Sequence, residues 1–250
     1  MFRSLLARLW HEIAPALLMV AVVLLARTAL AQPYYVPSGS MEPTLQIGDE
    51  LLANKFTYGY SRYSLPVDLP VGGEGRLFAR LPARGDVVVF RPPNKPDEVY
   101  VKRLIGLPGD RIAMRQGRLW IDGRPLPLQD DGIGQVELRD GRRLPARRLL
   151  ETLPGGRVHP ILKLTFSGPL DNTPEVTVPP GMLFMMGDDR DNSLDSRIPR
   201  AEGGLGFVPE ANLLGRAEVV LGSWDFPIMA QPVTTWLSGL RLRRFFSKIS

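Results

Sequence analysis

The chain has 250 residues, with 25 Gly, 24 Pro and no Cys, and a net charge of +5. Gly and Pro together make up about a fifth of it, where roughly 12% is usual. That argues against a helical bundle and for many short strands joined by turns. Without Cys there is no disulfide framework, no Cys-ligated metal and no thiol nucleophile, and two His, His11 and His159, argue against a His-rich metal centre. The 44% hydrophobic content suffices for a packed core. The positive charge suits nucleic acid or an anionic membrane surface, and its distribution at the two ends matters most.

Residues 13–26 read IAPALLMVAVVLLA, an uncharged apolar run, with Arg3 and Arg8 before it and Arg27 after it. The run is shorter than the roughly 20 residues that span a bilayer, but a snorkelling Arg27 extends it to about Ala31. A basic flank, a short apolar run and Ala29-Leu30-Ala31 match a cleavable signal peptide. The same features match an uncleaved anchor with a cytoplasmic N-terminus. Both readings carry residues 32–250 across a membrane. A buried core helix is the third reading.

From Gln32 onward the pattern is that of strands. Gly-Asp pairs at 48–49, 85–86, 109–110 and 187–188 favour turns. Strands are predicted at Asp86–Phe90 (DVVVF), Val99–Ile105 (VYVKRLI), Arg118–Ile121 (RLWI), Met182–Met186 and Ala217–Leu221. Asp122-Gly123 is a hairpin turn signal. Residues 57–82 read as a long surface loop or ribbon. Residues 124–180 show little periodicity and read as a small β-subdomain or an insertion. At the end, residues 232–250 placed on a helix put Leu242, Phe245, Phe246 and Ile249 on one face and Arg241, Arg244 and Lys248 on another. This is the pattern of an interfacial membrane helix; a frayed basic tail is the plainer reading.

Three segments carry residues suited to chemistry. In Pro37-Ser38-Gly39-Ser40-Met41-Glu42-Pro43-Thr44-Leu45, two prolines stiffen a bend that presents two hydroxyls. A solvated Ser/Pro turn would look the same. In Tyr100-Val101-Lys102-Arg103, Lys102 shares a strand face with Tyr100 and Leu104. It is either an ordinary exposed lysine or a buried one whose lowered pKa makes the neutral amine a general base. The third segment, Gly187–Arg197 (GDDRDNSLDSR), spaces Asp189, Asp191, Ser193 and Asp195 as a calcium loop does. Its sixth and twelfth positions, Leu194 and Arg200, do not fit, so a polar orienting network is the better reading. Ser-His-Asp catalysis would have to use His159, which lacks a recognisable setting; a Ser-Lys pair satisfies the same logic.

PSGSMEPTL at 37–45, RGDVVVF at 84–90, YVKRLIGLPGD at 100–110, GDDRDNSLDSR at 187–197 and GFVPEANLLGRA at 206–217 are collinear with type I signal peptidase. The chain resembles that family, the membrane-bound Ser-Lys endopeptidases that remove signal peptides from exported preproteins. The resemblance implies a mainly β fold: an antiparallel β catalytic domain with a small β insertion subdomain, preceded by one N-terminal transmembrane helix. The implied divisions are 1–11 cytoplasmic, 12–31 an uncleaved anchor, 32–231 the extracytoplasmic peptidase with its insertion at about 124–180, and 232–250 the basic amphipathic tail. Ser40 is implied as nucleophile and Lys102 as general base. Ser38 and the Ser40 N–H would form the oxyanion hole, Ser193 would hydrogen-bond the Lys102 amine, and Asp195 with Arg197 would form a supporting ion pair. Tyr34, Val36, Pro37, Leu45, Tyr100 and Val101 would wall the shallow pockets for small residues at −3 and −1, and Met41 would be structural. Neither metal nor cofactor is implied. The expected partners are preproteins and the bilayer, with no nucleic acid, for a monomer in a bacterial inner membrane. Ala29-Leu30-Ala31 becomes a candidate self-cleavage site.

Two departures from the family pattern stand out: Ile198–Leu205 intervenes before Gly206-Phe207, and one anchor is present where many members have two. A specialised pilin or conjugation maturation peptidase would keep Ser40 and Lys102 with a narrower substrate range. A membrane-anchored β-rich binding module would need neither.

Overall fold

The computed structural model describes residues 10–20, 22–23, 30–61, 63–64, 76–138, 141–225 and 237–250. In chain order the strands are β1 (Ala31–Tyr35), β2 (Asp49–Asn54), β3 (Val87–Phe90), β4 (Tyr100–Gly106), β5 (Arg111–Arg115), β6 (Arg118–Ile121) and β7 (Arg124–Pro125). They continue with β8 (Leu128–Glu137), β9 (Arg143–Thr152), β10 (Val158–Lys163), β11 (Val176–Thr177), β12 (Met182–Met186), β13 (Val208–Pro209) and β14 (Leu213–Ser223).

β3, β4, β6 and β12 lie where β-branched and apolar runs predict them, and β14 contains the predicted 217–221 segment. Asp122 and Gly123 turn the chain between β6 and β7 with φ of 51° and 74°. Two successive positive φ angles make the tight turn whose twist matches that of paired strands.

A seven-stranded sheet runs in the order β1-β2-β14-β3-β4-β12-β13, and each of its pairings is antiparallel. Val36, Met41, Leu45, Leu51, Val87 and Val220 form one core against it. A second sheet, β11-β5-β6-β7, packs Ile112, Leu119 and Ile121 against Ile105 and Phe184 of the first. Leu104, on the other face of β4, packs with Tyr58, Phe90, Leu205 and Leu213, so β4 is covered on both faces, and every residue from Lys102 to Gly106 is buried.

The third sheet, β10-β9-β8, lies within the stretch read as an insertion. Its small core is Val136, Ala146 and Leu162. β8 has a mostly exposed sequence, LQDDGIGQVE, so its strand character comes from backbone pairing with β9 and leaves no apolar alternation to read. Within 57–82 an antiparallel bridge joins Tyr60 to Leu77, as in a ribbon; residues 62 and 65–75 lie outside the described residues.

Two expectations at the ends meet different outcomes. Residues 10–20 and 22–23 are helical. Leu17, Leu18, Met19, Val20, Val22 and Val23 are exposed, which removes the buried core helix reading. Among the described residues no helix is long and apolar enough to cross a membrane. Much of the flanking segment, including Arg3, Arg8, Arg27 and Ala29, lies outside the described residues.

The expected amphipathic helix at 232–250 is not formed in the described part, 237–250. It holds only short 3-10 turns, one of them Leu242–Arg244. Backbone bonding to β14 replaces the helix: the Phe246 N–H donates to Val220 O and the Ile249 N–H to Glu218 O. Ile249 is 8% exposed and joins the core, while Leu242 and Phe246 are 71% and 75% exposed. One helical face is thus split between core and solvent.

Candidate active site

Ser40 lies in a single 3-10 turn, Gly39–Met41, entered from an extended Ser38. Met41 and Leu45 anchor the loop by burying their side chains completely. The opposite wall is Gly187. A Cβ there would lie 2.3 Å from the Ser40 carbonyl oxygen and 2.3 Å from Ser193 Oγ. Only glycine permits that approach of backbone to backbone, and the Asp189 N–H then donates to the same Ser40 carbonyl at 3.2 Å.

Lys102 reaches the loop from β4, and its Nζ donates to Ser40 Oγ. It is 4% exposed. Burial pushes its pKa down to about 8, against the opposing pull of the Asp195 and Asp188 charges. A charged amine is poorly accommodated where water is excluded, so about a tenth of the amine is neutral at pH 7 and about half at pH 8, far more than for an ordinary lysine. Of the two sequence readings for this residue, the buried one holds.

Ser38 Oγ lies 3.4 Å from Ser40 Oγ. Asp195 and Arg197 form the expected ion pair, with Arg197 Nε 2.9 Å from Oδ1 and Nη2 2.8 Å from Oδ2. Burial alone would raise the Asp195 pKa, but the Arg197 charge and its hydrogen bonds hold it below the usual carboxylate range. The Gly187 N–H also donates to Asp195 at 3.0 Å, so the pair braces the segment that carries Gly187. Ser193 reaches the site without the expected bond to Lys102: its buried Oγ makes no hydrogen bond and packs against Gly187.

A cleft of 680 Å³ opens beside the pair and is lined by Tyr34, Pro37, Tyr100 and Val101, four of the residues that the resemblance implies as substrate-binding. Val36 and Leu45 are corrected: both are buried in the core beneath the cleft and do not line it. Val36 follows the exposed Tyr35 and points to the opposite side, and the Leu45 N–H bonds back to Met41 O, turning that side chain inward. Ile47, Leu51, Val89, Leu138 and Leu194 add apolar wall that sequence reading missed.

Also missed is a buried ionic network behind the pair. Arg103 grips Asp188 through Nε at 2.8 Å and Nη2 at 2.7 Å. Thr44 donates to Asp188 at 2.5 Å, and Arg190 pairs with Glu151 on β9. The sequence signal was a charge at consecutive strand positions, Lys102 and Arg103, which only a strand covered on both faces can bury. His159 sits in this network, held neutral by burial and the nearby Arg103, with its pKa pushed down to about 4. It is absent from the cleft lining, in keeping with a site that does not use it.

A buried amine on a serine hydroxyl, at the end of an apolar cleft, is the arrangement of a Ser-Lys hydrolase. The family model described as "Signal peptidase, peptidase S26" matches residues 9–224. The chain belongs to that family. The signal peptidase I of Rickettsia akari (strain Hartford) is 36% identical over 246 residues, spanning 92% of this chain and 89% of that protein. That of Rickettsia typhi (strain ATCC VR-144 / Wilmington) is 36% identical over 255 residues, spanning 96% and 93%. The crystal structure of a signal peptidase I from Enterococcus faecalis V583 matches with 26% identity, covering 55% of this chain and 97% of that chain at a TM-score of 0.33. As a member of the family, the chain is a serine peptidase.

Proposed function

We propose that the protein removes N-terminal signal peptides from exported preproteins, cutting after small residues at −3 and −1. The observation that carries the reading is the Lys102–Ser40 hydrogen bond at the end of the apolar cleft. The substrate lies extended in the cleft beside Val101 and Lys102, beyond Arg103, where the pairing of β12 with β4 begins. Tyr34, Pro37, Tyr100 and Val101 line the cleft there, and we assign to them the selection of small side chains by size.

Neutral Lys102 takes the Ser40 proton as Ser40 Oγ attacks the scissile carbonyl. The oxyanion is met by the Ser38 hydroxyl and the Ser40 N–H, each donor contributing about 3–4 kcal/mol to the transition state. The resulting ammonium protonates the departing amine, and Lys102 then takes a proton from water to hydrolyse the acyl-enzyme. The chemistry balances with water alone. Ser193 has an uncommitted buried hydroxyl available to orient the amine, and Asp195–Arg197 supports that segment.

We assign the segment from residue 12 to the start of β1 at Ala31 as an uncleaved anchor that holds the N-terminus in the cytoplasm and the peptidase outside a bacterial inner membrane; the expected end at Ala31 is one strand residue too far, because Ala31 pairs with Asn54. Support comes from the exposed apolar side chains of the helix at 10–20 and 22–23, which water would not favour. The extracytoplasmic domain then begins with β1 at Ala31, and it includes residues 237–250, which pack on β14 and are not a separate tail.

The test is cleavage of a preprotein carrying an Ala-x-Ala site by the detergent-solubilised protein. Wild type cleaves, and Ser40→Ala and Lys102→Ala do not, while both variants keep the wild-type fold by circular dichroism. Full activity in either variant removes the dyad.

A further inference from the structure

We propose that residues 239–250 are a strap that positions the nucleophile loop, with Arg244 as its positioning residue. The inference rests on Ser40 being the nucleophile. It concerns how the loop after Ser40 is held, because that loop has almost no regular structure of its own. Between Met41 and Asp49 the chain makes turns, and the Ser40 hydroxyl can meet Lys102 only if those turns keep one geometry.

Two sets of contacts hold the loop from opposite sides. On one, Thr44 Oγ1 donates to Asp188, which Arg103 grips on both oxygens. On the other, Arg244 Nε donates to Asp49 Oδ1 at 2.9 Å and Nη2 to Asp49 Oδ2 at 2.5 Å. Arg244 Nη2 also donates to the Thr44 carbonyl at 3.0 Å. One guanidinium therefore ties together both ends of the turn 44–49. Asp49 is fully buried and also accepts the Gln46 N–H at 2.8 Å. Arg241 Nη1 donates to Ile47 O at 2.7 Å, between those ends.

The strap is itself fixed at two further places. Ile249 inserts into the same core as Val36 and the loop's two anchors, Met41 and Leu45. Arg103 Nη2 donates to Ser250 O at 3.1 Å, which links the strap to the residue next to Lys102. The two sides of the clamp thus meet at Arg103. A planar fork suits Arg244 to this task. Lysine would keep the charge beside Asp49 but could not span both Asp49 oxygens and the Thr44 carbonyl.

The experiment uses the full chain in detergent with a preprotein carrying an Ala-x-Ala site. The variants are Arg244→Ala, Arg244→Lys, Ile249→Ala and the exposed Arg243→Ala. Arg244→Ala is expected to lose about 10- to 100-fold in kcat, the scale of a small misplacement of reacting groups, with KM within about twofold. Arg244→Lys recovers part of the loss. Ile249→Ala loses kcat less severely, and it serves as the probe if Arg244→Ala does not fold. Arg243→Ala matches wild type. Wild-type kcat in folded Arg244→Ala, or in Ile249→Ala where Arg244→Ala is unfolded, overturns the strap. So does a loss seen equally in Arg243→Ala, or one carried by KM alone. Cleavage by Ser40→Ala instead overturns the nucleophile assignment, and the two failures are told apart by which variant stays active.

Discussion

Replacing Lys102 with Met should make the protein more stable while removing its activity. The reason is the cost of keeping an amine in a dry site. Lys102 has its pKa lowered from 10.5 to about 8, mainly by burial. At roughly 1.4 kcal/mol for each tenfold change in proton affinity, that costs folding about 3 kcal/mol at pH 7. The sign follows from the direction of the shift. A lysine with a lowered folded-state pKa destabilises fully below about pH 8, and the penalty is relieved as pH rises from 8 toward 10.5. Met has a similar volume and no charge. Losing the bond to Ser40 gives back about 1 kcal/mol, which leaves Lys102→Met about 2 kcal/mol more stable than wild type at pH 7. By pH 9.5 the penalty has fallen to about 1.5 kcal/mol, so the two proteins should differ by only about 0.5 kcal/mol. Urea unfolding of both proteins at the two pH values measures this. A stability difference that does not change between pH 7 and 9.5, or a variant less stable than wild type at pH 7, refutes the reasoning.

The same shift predicts that cleavage by wild type rises as pH passes through about 8, since Lys102 must lose its proton to accept one from Ser40; a flat rate from pH 6 to 9 would contradict a titrating lysine base. Gly187→Ala places a Cβ 2.3 Å from the Ser40 carbonyl oxygen, so the loop must move. We expect kcat to fall by at least tenfold and stability to drop by about 1–3 kcal/mol, measured by cleavage kinetics and thermal unfolding; an unchanged kcat would mean that the loop tolerates the shift.

Sequence by itself determined the strands whose two faces are apolar or alternate, because that pattern is written residue by residue. Val87–Phe90, Arg118–Ile121 and Met182–Met186 needed nothing else, and Asp122-Gly123 carried its own turn. The segments around Ser40, Lys102 and Asp195–Arg197 stood out by residue type, but the residues alone left a plain turn and an exposed lysine open, and their roles came from the resemblance to the signal peptidase family.

Tertiary structure alone decided three matters, each set by contacts between residues far apart in the chain. It decided that Lys102 is buried, since a single strand does not reveal that both of its faces are covered. It placed Val36 and Leu45 under the cleft and not in its wall, because both settings call for an apolar side chain. It also drew residues 237–250 out of a helix and onto β14. The helical pattern in that segment is real, but a helix there would leave Ile249 outside the core and Asp49 without Arg244. Backbone pairing, core insertion and a buried ion pair together outweigh the local preference of one short amphipathic stretch.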